Sequence, residues 1–112
     1  MDKLDSATIN KGLAQLPGLI SRQEQRVQEV KNEYSRLLLS LQQKEAEIIT
    51  DESLGHNADY RKAKAIAHTA GDRRLLLGKK EELEKAKIVY NTLINKWKAV
   101  RKMADLMIKG GK

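Results

Sequence analysis

The residues able to do chemistry in this 112-residue chain are few, apart from its cations. There is no Cys, which removes thiol catalysis, disulfides and Cys-based zinc sites. His56 and His68 are the only histidines. His68 and Asp72 stand four apart and would share a helix face, but a metal site needs three or four converging ligands. Surface or capping roles account for both histidines. Glu81, Glu82 and Glu84 lie among Lys79, Lys80, Lys85 and Lys87. Acid–base catalysis needs carboxylates enclosed in a pocket, and this mixture reads as a solvated helix surface. Gly71 and Gly78 do not fit the spacing of a phosphate loop. The sequence therefore points to a non-catalytic protein with no cofactor and no metal.

The cations are the informative group. The net charge is +7, and it is unevenly placed. Residues 61–112 hold fifteen Lys/Arg against five Asp/Glu, whereas residues 1–18 and 19–50 are each neutral and 51–60 is acidic. A basic half joined to a neutral half suggests a polyanion as partner.

Positioning those charges falls to long helices. With no Phe, one Pro and 33% charged residues, the composition favours helix or coiled coil. Leu76, Leu83, Tyr90, Trp97 and Ala104 recur every seven residues, with Ala86, Leu93, Val100 and Met107 three further on. That is the a/d seam of a helix packed along its length on another. Upstream, Ile20, Val27, Tyr34, Leu41 and Ile48 form a second row of a positions, above a mixed d row of Gln23, Val30, Leu37 and Lys44.

The predicted fold is all-α in one domain. Residues 1–18 form a short N-terminal helix or arm, with Ser6 as cap and Ile9, Leu13 and Leu16 as its apolar face. It packs on the bundle, frays, or is exchanged between subunits. Pro17-Gly18 ends it. Residues 19–50 are the first long helix, 51–58 a loop, and 59–109 the second long helix, antiparallel to the first as a helical hairpin. Asn57 or Asp59 caps the second helix. Gly71 leaves two readings open, a continuous helix or a break with Asp72 capping a new one. Gly110-Gly111 ends the chain's last helix. Two thin helices make a narrow core, so a homo-oligomer is expected.

In the register of the second helix, Arg73, Lys80, Lys87 and Arg101 fall at e and Arg74, Lys102 and Lys109 at f. Such an edge spans roughly 40 Å at 1.5 Å per residue and would follow a nucleic-acid backbone. Adding the Arg61, Lys62 and Lys64 cluster gives the candidate nucleic-acid-binding set: Arg61, Lys62, Lys64, Arg73, Arg74, Lys80, Lys87, Arg101 and Lys102. The competing explanation is pairing along the seam, Glu24 with Arg101 and Glu45 with Arg73. Trp97, between Lys96 and Lys98, has the spacing of a core residue before that of a base-stacking one. Tyr60 is a freer stacking candidate.

No apolar run reaches membrane-span length, and Met1-Asp2-Lys3-Leu4-Asp5 lacks signal-peptide order, so a cytoplasmic protein is expected. A heptad-rich first helix, a polar loop, an Ala/Lys segment and a basic end, Leu93-Ile94-Asn95-Lys96-Trp97-Lys98-Ala99-Val100-Arg101-Lys102-Met103, follow in that order. Over residues 20–109 this plan resembles the small helical proteins of phage recombination and replication clusters, closest to phage recombination mediators. The resemblance implies an oligomeric single-stranded-DNA-binding protein that works beside a recombinase, a replication protein or a host protein. The alternative reading is a helical protein-binding module, an inhibitor or adaptor docking through its apolar seam.

Overall fold

The computed structural model describes residues 6–110, and these are almost wholly helical, with no strand. Three α-helices follow one another: α1 (Ser6–Thr50), α2 (Ala58–His68) and α3 (Ala70–Gly110). A short 3-10 turn (Glu52–Leu54) lies between α1 and α2. The predicted all-α class holds, and the long helices are compatible with a hairpin. Gly110 is still helical, while Gly111 and the stretch Met1 to Asp5 lie outside the described residues.

The predicted break at Pro17-Gly18 is absent, and the expected arm and first helix are one element. A proline inside a helix costs about 3 kcal/mol. The seam supplies more than that. Ile9 and Leu16 are buried to 3% exposure, in a cluster with Val100, against which Leu93, Trp97, Met103 and Ala104 pack. Burying one such side chain contributes about 1.5–3 kcal/mol. Ile9, Leu16, Gln23, Val30 and Leu37 are seven apart, as are Leu13, Ile20, Val27, Tyr34 and Leu41, and every one is buried or half-buried. The residues before Pro17 thus continue the register of those after it. Pro17 itself faces solvent.

The second long helix is interrupted at Thr69, two residues before the predicted Gly71. Gly71 and Asp72 lie in the first turn of α3, so Asp72 is not its cap. Thr69 is fully buried, and its hydroxyl donates to the Ala65 carbonyl at 2.7 Å, which also accepts the Thr69 amide at 3.0 Å. A threonine bonded back to the carbonyl four residues earlier competes with the helix ladder and bends it.

The described chain forms two compact units. One joins the part of α1 up to Gln28 with α3 from Lys85 on. The other is Glu29–Glu84 and contains the loop and α2. In the first unit α1 and α3 run antiparallel. Gly12 lies against Val100, where an added Cβ would be 3.2 Å from a Val100 methyl. The Gln23 amide donates to the Ala86 carbonyl at 3.0 Å, so a polar d residue is satisfied because its neighbour is small. Met107, assigned to d, is 43% exposed, and Met103 and Ala104 close that end of the seam instead.

In the second unit Asp51 opens the 3-10 turn by accepting from the Ser53 amide at 3.0 Å and its hydroxyl at 2.5 Å. Gly55 closes the turn at φ +108°, a conformation that favours glycine. Of the two predicted caps, Asn57 takes the role, accepting from the amides of Asp59 and Tyr60 at 3.0 and 3.3 Å.

The glycine environments separate helix propensity from packing. Gly78 has open space where a Cβ would go. Gly78→Ala should therefore gain close to the full helix-propensity difference of about 1 kcal/mol. Gly12→Ala must displace Val100 and should gain less or lose stability. Urea denaturation of both variants checks this, and equal gains would refute the Gly12–Val100 contact.

Candidate nucleic-acid interface

Charge follows the two units more closely than it follows the two halves of the chain. Among the described residues, the first unit holds ten Lys/Arg and only Glu24 and Asp105 as acids, a net charge of +8. The second holds ten Lys/Arg against eleven Asp/Glu, a net charge of −1.

The predicted site residues divide accordingly. Arg61, Lys62, Lys64, Arg73, Arg74 and Lys80 belong to the near-neutral unit, and Lys87, Arg101 and Lys102 to the basic one. In the near-neutral unit many charges are already engaged. The Arg73 guanidinium binds the Glu45 carboxylate, one of the two pairs in the competing explanation, and its Nε donates to Thr69 Oγ1 at 3.4 Å. Lys44 bridges to Asp72 at 3.2 Å. Lys79 donates to Glu33 at 2.6 Å and Glu82 at 2.9 Å. Hydrogen bonds from the Ser53 hydroxyl and amide hold the Asp51 carboxyl below its usual 3.8, and the charges of Arg61 and Lys64 lower it further. The Arg61 Nε is buried and makes no hydrogen bond. Lys62, Arg74 and Lys80 are exposed and make no ion pair among the described residues.

In the basic unit, Lys96, Lys98, Arg101 and Lys102 are exposed and make no ion pair among the described residues. Lys98, Arg101 and Lys102 stand at i, i+3 and i+4, so their Cβ atoms share one helical face. The sequence-based Glu24–Arg101 pair is not formed. Gln23 is level with Ala86 and Val100 with Gly12, so the register places Arg101 at the other end of this unit from Glu24. Trp97 packs in the cluster around Val100, as its spacing indicates. Tyr60 is 52% exposed in the near-neutral unit.

In the sequence Lys98 and Lys96 stand out only as neighbours of Trp97, and Lys11 does not stand out as a site residue. The signal that finds them is the heptad of Ile9, Leu13 and Leu16. It assigns the N-terminal residues to the basic end of α3, where few carboxylates are available.

Among the described residues no group of three or more His, Cys, Asp or Glu could hold a metal ion. No helix there is long and apolar enough to cross a membrane. No protein-family model, no curated protein and no solved structure matches this chain.

The Lys79 ammonium titrates above its usual 10.5, chiefly through the hydrogen bond to Glu33 and then that to Glu82. A raised folded-state value means a contribution fully present below the unfolded value and lost as pH rises through the folded one. Lys79→Met should thus be less stable than the parent at pH 8, with the gap closing above about pH 10.5. Chemical denaturation at both pH values measures it, and a gap independent of pH would exclude the ion pairs as its source.

Proposed function

We propose that this chain is a non-catalytic nucleic-acid-binding accessory protein. One observation carries the reading, the net charge of +8 on a unit whose described residues include two acids. A polyanion bound there releases its counterions, which supplies affinity without base-specific contacts. Of the nine sequence candidates, Lys87, Arg101 and Lys102 lie in this unit, and Lys98 joins them on the exposed surface of α3. Arg61, Lys62, Lys64, Arg74 and Lys80 are secondary contacts. Arg73 serves the fold through Glu45 first.

Preference for single-stranded DNA, and a place in phage-type recombination or replication beside a recombinase or replication protein, rest on the resemblance in plan over residues 20–109. Homo-oligomerisation is supported by the thin seam and by large apolar side chains left in solvent, among them Leu39 at 56%, Leu75 at 63% and Ile88 at 64% exposure. Assembly would multiply weak contacts through avidity.

Titration against single- and double-stranded DNA and RNA across a salt series tests the reading. Affinity should fall steeply with salt, with a log–log slope of about −0.7 per phosphate contact on single strands. Arg101→Glu with Lys102→Glu should weaken binding about tenfold or more and flatten that slope, with helicity by circular dichroism unchanged. Lys62→Glu with Arg74→Glu should cost less. Absence of binding to every oligonucleotide at low salt overturns the proposal.

A further inference from the structure

The basic unit contains a second feature, which shares only Lys96 with the exposed cations of α3. A cleft of about 390 Å³ runs between α1 and α3 there. Its floor is apolar, made by Gly12, Leu16, Leu19, Ala99 and Val100. Gly12 and Ala99 carry little or no side chain, which leaves the groove open. Leu19, at 39% exposure, stands partly in water beside it. Lys11 on α1 and Lys96 on α3 supply a cation from each helix, and Thr8 and Gln15 supply polar groups. No carboxylate lines the cleft, and no aromatic side chain does.

We infer that this cleft docks an acidic amphipathic helix of a partner protein. The lining selects the occupant. A groove beside an antiparallel helix pair matches the apolar stripe of a third helix, which would insert side chains spaced i, i+3 or i+4 and i+7. Lysines from both helices, within a unit of net charge +8, require carboxylates flanking that stripe. A nucleic-acid strand is a poorer match. The floor offers no ring for a base to stack on, and phosphates gain nothing from Leu16, Leu19 and Val100. A second copy of this unit would bring a like charge of +8 to the same groove, a repulsive encounter. The inference does not rest on the nucleic-acid reading, because the ligand differs and the cleft shares only Lys96 with the exposed face of α3.

The probe is a synthetic fluorescent helix of about 18 residues, five turns, with leucine on one face and glutamate elsewhere. Its control replaces every glutamate by lysine. Both are titrated into the full chain, and amide shifts are followed by NMR. The acidic peptide should bind in the micromolar range and shift the amides of Thr8 to Leu19 and Lys96 to Val100, while the basic peptide should not bind. Lys11→Glu with Lys96→Glu should weaken the acidic peptide at least tenfold, and so should Leu19→Glu, a change at a part-exposed position that leaves the seam intact. Equal binding of the basic peptide, or full affinity in the charge-reversed variant, overturns the inference. It is also overturned if the peptide fails to bind while oligothymidylate shifts the cleft amides. The same holds if the peptide fails while Leu19→Glu abolishes self-association in sedimentation. Absence of binding to every oligonucleotide, with the acidic peptide still bound, would sink the nucleic-acid reading alone.

Discussion

A pair of helices has a single seam from which water can be excluded, and that thinness governs the rest of this molecule. A protein with layered elements can lose one core side chain to a loop or a surface. Here each buried position is one of very few: Ile9, Leu16, Val30, Leu41, Leu83, Ala86 and Val100 are the buried apolar residues of α1 and α3. The constraint explains why α1 continues through Pro17. Ending the helix there would forfeit Ile9 and Leu13, and with them the cover over Val100, at a greater cost than one missing backbone hydrogen bond. It also explains why polar seam residues are individually satisfied. Gln23 reaches the Ala86 carbonyl, and Lys44, at d, meets Asp72. These pairs fix register where apolar contacts alone would tolerate slippage.

The same thinness makes charge placement consequential, because almost every charged group remains near water. Exposed ion pairs contribute roughly 0–1 kcal/mol each, so the bridges of Glu29–Glu84 are better understood as neutralising that unit than as holding it together. The near balance of ten cations and eleven acids there shows that this sequence can supply carboxylates where cations gather. The other unit departs from that balance.

Much of the helical content was legible in the sequence because the heptads are strong. The cap was legible as one of two residues, Asn57 or Asp59, and of the two seam pairs offered by the spacing Glu45–Arg73 forms while Glu24–Arg101 does not. Two features were not legible. Pro17-Gly18 carries a local stop signal, and a local signal outweighs the seam unless Ile9, Leu13 and Leu16 are read in the register of Ile20 and Val27. The interruption at Thr69 has no glycine or proline of its own. It coincides with a hydroxyl buried over Ala65, a burial that becomes visible only once the packed face is known. The charge excess was legible but its division between the units was not, because counting charge along the chain assigns Arg61 to Lys80 to the basic half. Packing sets those residues among acids from α1 and the loop, and leaves Lys96 to Lys102 without them.

That leaves the physical meaning of an uncompensated unit. Among its described residues ten cations stand against two acids, and such self-repulsion opposes the compact state. The seam must hold α1 and α3 together against it, using a small apolar cluster around Val100. Nothing in the packing of that cluster calls for Lys96, Lys98, Arg101 or Lys102, all of which are exposed. Their contribution to folding is therefore slightly adverse, and neutralisation by a bound anion would remove the penalty while adding contact energy. Binding and stability are thereby linked in this unit: an anionic partner that engages only the folded form raises its stability with the logarithm of one plus the ratio of its free concentration to its Kd. A surface polyanion and an acidic helix in the cleft would both draw on this excess of positive charge. Each would reduce the field available to the other, so occupation of one site should weaken the other even without a change in shape.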